Sequence, residues 1–238
     1  MTDVAEPLDD PLSVLADAPA FGALPDAVLR RIARKTEERV LPADTILFEQ
    51  GAKPVHLHLL LEGQVGLLGI GSDGHTTAVV EVLHPIDQFI LAAVLTDAPY
   101  LMSARALTDV RVCLIDANEL RQLVGAEPQL AVAMIVSLAR QYRMLVRQVK
   151  DLKLRSTAQR LGCFLLELAR EQDGARTVRL PYDKQLLAAR LGTTPENLSR
   201  AFAALRAHGV RTSGASVTLE DRQRLTAYAQ PDDLPVDS

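Results

Sequence analysis

The chain has 238 residues, 48% of them hydrophobic, and a formal charge of −4 from 26 basic and 30 acidic side chains; this is the composition of a folded globular protein with room for two modest domains. No run of about 18 apolar residues occurs, and Met1 to Asp10 is acidic where a secretory leader is basic and then apolar, so neither a membrane span nor export is expected, and the expected compartment is cytoplasmic. Cys113 and Cys163 stand apart and in no CxxC spacing, which excludes a disulfide framework and a thiolate metal cluster, and both read as small buried apolar residues.

Pro25 to Arg39 is helical in pattern, with Val28, Leu29 and Ile32 on one face. Between Leu41 and Ile115 the chain runs in short β-type segments: Thr45 to Glu49, Leu57 to Leu61, Gln64 to Ile70, Thr76 to Leu83 and Val110 to Ile115. Gly51, Gly63 and the GSDG stretch from Gly71 to Gly74 punctuate them, the pattern of a small closed β-roll or barrel.

From Glu127 the period changes. Ala131, Ile135, Leu138, Tyr142, Leu145, Val149 and Leu152 follow in alternating steps of four and three, an a/d seam of three heptads on a helix of about 37 Å. So narrow a seam suits a partner helix, and parallel pairing with a second copy makes these seven residues a dimer interface. Packing of the seam on the chain's own β domain is the alternative. Leu130 and Met134, beside the seam, can touch that domain in either case.

Leu152 to Arg155 form a hinge, after which Ser156 and Gln159 make a capping box ahead of Leu161, Phe164, Leu165 and Leu168. A loop at Asp173 and Gly174 and a short strand around Val178 to Leu180 follow. The expected domains are residues 1–126, a helix and hinge at 127–153, a third region at 154–230, and a disordered tail at 231–238. Charge divides along the same lines: residues 1–139 carry −10, residues 140–211 carry +9 and residues 212–238 carry −3. A positive region between acidic ones is the footprint of phosphate contact by one domain, although a solvated helix face gives the same sign.

Inside that region Lys184 to Ala203 reads KQLLAARLGTTPENLSRAFA and meets the steric needs of a helix-turn-helix. Leu187 and Leu191 supply a core face, Ala188 is small where two helices cross, and Gly192 stands where the turn needs a left-handed residue. Thr194 can cap the second helix with Pro195 at its first position, and Leu198, Ala201 and Phe202 point back to the core. Two ordinary helices joined by a glycine turn would share any one of these features. The candidate set for double-stranded DNA is Thr193, Thr194, Glu196, Asn197, Ser199 and Arg200. Arg200 has the fork for guanine O6 and N7, Glu196 can accept from cytosine N4, and the i, i+4 spacing lets Glu196 hold Arg200 in place without DNA.

With these residues in view the chain, from about Phe21 to Ala229, resembles the cAMP receptor protein / fumarate and nitrate reductase regulator (CRP/FNR) superfamily. The resemblance rests on LLLEGQV at Leu59 to Val65, the long seam helix and PENLSR at Pro195 to Arg200. It implies an α+β fold: an N-terminal β-roll of cyclic-nucleotide-binding jelly-roll type, a long dimerisation helix and a C-terminal winged helix-turn-helix with its wing at Gly209 to Leu219. It also implies a homodimeric transcription regulator that meets DNA and RNA polymerase, with no membrane partner and no enzymatic activity. The E-x-x-S-R pattern at Glu196, Ser199 and Arg200 is similar to the FNR branch and implies TTGAT-type half-sites in an inverted repeat.

The sensing half departs from two known patterns. Where cyclic-nucleotide binders resemble F-G-E-L-A…P-R-S-A, this chain has Phe89-Ile90-Leu91-Ala92-Ala93 and Pro99-Tyr100-Leu101-Met102, so leucine replaces the ribose-binding glutamate and tyrosine the phosphate-binding arginine. A buried phosphate without its cation is costly, which argues against cAMP. The missing N-terminal cysteine group argues against an iron–sulfur cluster. What remains resembles the Dnr/NnrR-like branch, which implies nitric oxide control through haem, with His58 or His84 as candidate axial ligand. Phe89, Leu91, Val94, Tyr100 and Met102 form the candidate effector pocket, closed by Met134 and Leu138, although the same residues can be plain core. The resulting expectation is a regulator whose effector is not cAMP. A ligand-binding module without DNA activity and a constitutively active regulator are the alternatives.

Overall fold

The computed structural model describes residues 5–6, 11–70 and 77–231. In chain order its first part runs β1 (Ala5–Glu6), α1 (Pro11–Asp17), α2 (Asp26–Ala33), β2 (Thr36–Leu41), β3 (Ile46–Phe48), β4 (His56–Glu62), β5 (Val65–Ile70), β6 (Thr77–Leu83), β7 (Gln88–Phe89), α3 (Leu91–Thr96), β8 (Ser103–Ala106), β9 (Val110–Asp116) and α4 (Ala117–Ala126). The long helix α5 (Pro128–Leu154) follows, then α6 (Thr157–Glu171), β10 (Thr177–Arg179), α7 (Lys184–Arg190), α8 (Pro195–Leu205), β11 (Val210–Ser213), β12 (Ser216–Leu219) and α9 (Arg222–Ala229). The chain divides into two compact units, Met1–Tyr142 and Arg143–Ser238, and the division falls inside α5.

Unit 1 packs two antiparallel sheets, ordered β1-β2-β9-β4-β7 and β3-β8-β5-β6. Side chains alternate across a strand, and here both faces of the first sheet are covered, so β4 buries four successive residues, Leu57 to Leu60. Leu57, Leu59, Cys113 and Ile115 face the helices and join Phe21, Ile32, Leu120, Leu130 and Met134 in one core. Leu60, Phe89, Val112 and Leu114 face the second sheet and join Phe48, Val65, Tyr100 and Ala104 in another. Gly63, which turns the chain between β4 and β5 at φ +83°, could carry no side chain, because a Cβ there would lie 2.2 Å from the Asp109 carbonyl oxygen.

The structure corrects three expectations in this half. The helix read from Pro25 to Arg39 stops at Ala33; Thr36–Leu41 is β2, whose six residues all pair with β9, so ladder formation overrides the helix preference of Glu and Arg. Strand β8 and helix α4 went unread, the latter begun by Asp116, whose carboxylate accepts from the Glu119 N–H at 2.8 Å. The proposed effector pocket does not exist as one space: Leu91, Val94, Met134 and Leu138 belong to the helix-side core, while Phe89, Tyr100 and Met102 belong to the inter-sheet core. The GSDG turn, His75 and residues 232–238 of the proposed tail lie outside the described residues.

Helix α5 has two characters. Leu130, Met134 and Ser137 are buried in unit 1, whereas Ile135, Tyr142, Leu145, Val149 and Leu152 of the seam are 41–67% exposed. Ala131 and Leu138 are half-buried. No single helix among the described residues is long and apolar enough to cross a membrane.

Unit 2 is built on α6. The capping box forms as read: Ser156 Oγ accepts from the Gln159 N–H, and the Gln159 side chain accepts from the Ser156 N–H. Leu161, Leu165 and Leu168 are buried, whereas Phe164 is only half-buried. Strands β10, β12 and β11 form a small antiparallel sheet, and β11–β12 is the hairpin expected as a wing.

Candidate nucleic-acid interface

The local sequence dictates how α7 and α8 are presented. Asp183 caps α7 by accepting from the Leu186 N–H at 2.8 Å, and Leu187 and Ala188 are buried. The chain then turns at Gly192, where φ +60° favours glycine; a Cβ there would also lie 2.5 Å from Leu152 Cδ2, the tip of a half-exposed side chain that would have to move. Thr194 caps α8 by accepting from the Asn197 N–H at 3.3 Å, and Pro195 takes the first position, where no N–H is needed. Leu198, Ala201, Phe202 and Leu205 are buried, which leaves Glu196, Asn197, Ser199 and Arg200 on the exposed side of the first two turns.

Within that row the bonding differs from expectation. Arg200 Nη1 donates to Asn197 Oδ1 at 3.2 Å, so Asn197, not Glu196, orients the guanidinium. The Glu196 carboxyl is held below its ordinary range by its own backbone N–H and the Thr194 hydroxyl, with the Arg200 charge adding to both; it is therefore an acceptor only. Ser199 Oγ donates to the Pro195 carbonyl at 3.0 Å, leaving its lone pairs free to accept. Thr194 is exposed, and Thr193 is half-buried, with its hydroxyl 3.5 Å from that of Thr157 on α6.

Two arginines that shape this unit escaped the sequence reading. Arg160 donates to the Arg155 carbonyl at 2.8 Å, to the Leu191 carbonyl at 3.0 Å and to the Gly192 carbonyl at 3.4 Å, and so ties the residue that follows α5 to the turn before α8. Arg190 donates to Tyr182 Oη at 2.6 Å and lies over the rings of Tyr182 and Phe164. The bonds of Arg160 to Leu191 and Gly192 span 31 and 32 residues and that of Arg190 to Tyr182 spans 8, so sequence spacing alone does not announce them. His208 stacks on Tyr228 at 3.9 Å between ring centroids.

In unit 1 the two candidate haem ligands part company. His84 lies in the turn leading to β7, where its backbone N–H donates to Asp87 Oδ2 at 2.8 Å. His58 is 6% exposed inside the roll, with the rings of Phe48 and Phe89 at 5.2 and 5.1 Å. Burial pushes its pKa down to about 3, the charge of His56 adding to this, so the ring is neutral. Its Nδ1 has no hydrogen-bond partner among the described residues, an arrangement that costs about 1–3 kcal/mol. A porphyrin at His58 would have to displace the Phe48–Phe89–Tyr100 layer, so the residues present do not fit haem. Among the described residues no group of three or more His, Cys, Asp or Glu could hold a metal ion.

On the same strand pair, Gln88 of β7 reaches α5. Its Nε2 donates to Ser137 Oγ, and its backbone carbonyl accepts from Gln141 Nε2 at 3.4 Å. These bonds join the roll to the first half of α5 within unit 1.

Residues 38–127 match the cyclic nucleotide-binding domain, and residues 159–228 match the Crp-like helix-turn-helix domain. The chain is similar to a solved candidate cAMP-binding regulatory protein from Silicibacter pomeroyi, with 31% identity and a TM-score of 0.62, covering 92% of this chain and 98% of that one. It is 24% identical over 222 residues to a CRP-like cAMP-activated global transcriptional regulator of Mycobacterium tuberculosis, covering 91% of this chain and 99% of that protein. The structure of FixK2 from Bradyrhizobium japonicum aligns with a TM-score of 0.69 at 24% identity, over 84% of this chain and 99% of that one; this likeness speaks for the fold alone.

Proposed function

We propose, from the premise that this chain belongs to the CRP/FNR family of DNA-binding transcription regulators, that it acts in the cytoplasm as a homodimer on a TTGAT-like inverted repeat, is no enzyme, and answers to an effector other than cAMP. The observation that carries the DNA reading is the exposed row Glu196, Asn197, Ser199 and Arg200 on the first turns of a threonine-capped helix in the one basic stretch of the chain. An acceptor-only carboxylate and a guanidinium on adjacent turns are chemically suited to cytosine N4 and guanine O6/N7 in a major groove.

The exposed seam of α5 supports pairing with a second copy. Ile135, Leu145, Val149 and Leu152 are already partly covered, so burying the remainder is favourable by about 1 kcal/mol for each aliphatic side chain. A pair of chains so joined would set two α8 helices about 34 Å apart, one DNA turn, and present the complex to RNA polymerase. An effector would act by favouring one arrangement of that pair. The case against cAMP is the apolar filling of the cassette: Leu91 is fully buried, and Tyr100 is buried with its ring 4.1 Å from that of Phe48. Control by nitric oxide through haem finds no support in the packing around His58.

The test is a salt-controlled gel shift of the full chain on a TTGAT inverted repeat and on random DNA. Arg200→Ala is expected to weaken the specific complex by about 1–3 kcal/mol and the random one little. Equal loss on both would make Arg200 a phosphate contact and remove the reading proposed for it.

A further inference from the structure

Unit 1 carries a groove of about 520 Å³ between the link from α1 to α2 and the first half of α5. Pro19, Ala20 and Leu24 form one wall, and Val132, Ala133 and Val136 form the other. At about 3.6 residues per turn this stripe of α5 lies roughly 145° round the helix from the seam and roughly 115° from the buried row Leu130, Met134 and Ser137, so pairing along the seam leaves it uncovered. Val132 and Val136 are 60% and 44% exposed. The amides of the link are spent internally: the Phe21 and Gly22 N–H groups donate to the Ala18 carbonyl at 2.8 and 2.9 Å, and the Leu24 N–H to the Phe21 carbonyl at 2.8 Å. Pro19, Pro25 and Pro128 bring no N–H and fix their backbone, so the walls are apolar and preset. The polar side chains of the lining are Gln129 and Arg140, at opposite ends of the stripe and about 16 Å apart along the helix axis. Among the described residues neither side chain has a hydrogen-bond or ion-pair partner, and Arg140 is exposed.

We propose that this groove binds the free anion of a medium-chain fatty acid, with its alkyl chain along Val132, Ala133 and Val136 and its carboxylate on the Arg140 guanidinium. The volume lies in the range of small-ligand sites, which are mostly apolar with few placed polar groups. A guanidinium presents a planar fork that meets a carboxylate through two parallel hydrogen bonds, and here that fork has no acid of its own among the described residues. An alkyl chain gains by leaving water in proportion to the apolar area covered, and the same step covers two valines that otherwise stand in solvent. An uncharged chain would leave the cation unanswered, and a short carboxylate would leave the walls bare. Only an effect of occupancy on DNA binding rests on the regulator reading.

The test uses the full chain without DNA and three probes: octanoate, 1-octanol, which keeps the chain without the charge, and butanoate, which keeps the charge on a short chain. Titration calorimetry is expected to show octanoate bound about tenfold or more tightly than either of the others. Arg140→Gln is expected to bring octanoate down to the level of 1-octanol, and Ala23→Asp, which sets an acid on the exposed wall opposite α5, to weaken octanoate about tenfold. Circular dichroism of both variants checks the fold. Absence of octanoate binding, equal binding of 1-octanol or butanoate, or full octanoate affinity in folded Arg140→Gln overturns the proposal. In sedimentation Ala23→Asp is expected to self-associate as the unchanged chain does; weakened self-association would assign the groove to a second copy and overturn the proposal as well. Because no readout contains DNA, failure of the operator assay leaves this result standing, and the reverse is equally true.

Discussion

The two faces of α5 carry similar residues and meet opposite fates. Leu130 and Met134 are 0% and 1% exposed in a core built from the roll and its helices, whereas Ile135, Tyr142, Leu145, Val149 and Leu152 stand in solvent. Composition does not separate the two sets; position does. The buried set lies in the first third of the helix, in one core with Leu120 and Leu123 of α4, whereas the exposed set keeps a 3.5-residue period across the division between units. The proposed pairing with a second copy would use that exposed, periodic face.

That contrast can be broken from either side. The largest effect is expected from Met134→Ala, which empties a filled site and should lower the unfolding free energy in urea by about 2–5 kcal/mol without changing self-association. A loss below about 1 kcal/mol would remove the distinction between the faces. Leu145→Glu combined with Val149→Glu should do the reverse: an unchanged circular dichroism spectrum, with the dimer constant in sedimentation weakened about 100-fold, or about 3 kcal/mol. Gly192→Ala should cost about 1–2 kcal/mol for the left-handed backbone, plus a clash with Leu152 that Leu152→Ala relieves; a double-mutant cycle in urea reads the coupling. Ser137→Ala removes the partner of Gln88 Nε2 and is expected to cost about 1 kcal/mol by the same measurement.

The helix-turn-helix was legible because its constraints are local. A glycine at positive φ, a threonine cap and a proline at the first position each need only neighbouring residues, as does the Ser156–Gln159 box. The seam was legible because a period is local too. Strand β2 was hidden because TEERVL reads as helix until β9, about 70 residues on, supplies a ladder. The effector pocket was misplaced because Phe89 and Leu91, two residues apart, lie on either side of the break between β7 and α3 and enter different cores. Arg200 was expected to lean on Glu196 by spacing alone, yet the cap claims that carboxylate and leaves Asn197 as partner.

The bonds of Arg160 carry a mechanical consequence. One rigid, planar group grips carbonyls on both Arg155, just past α5, and the loop that aims α8, so tilting α8 against the end of α5 must first unfasten several contacts at once. Lysine could keep the charge but would hold a single point, turning a bracket into a pivot. The orientation of α8 is thereby inherited from the end of α5 rather than chosen by the loop.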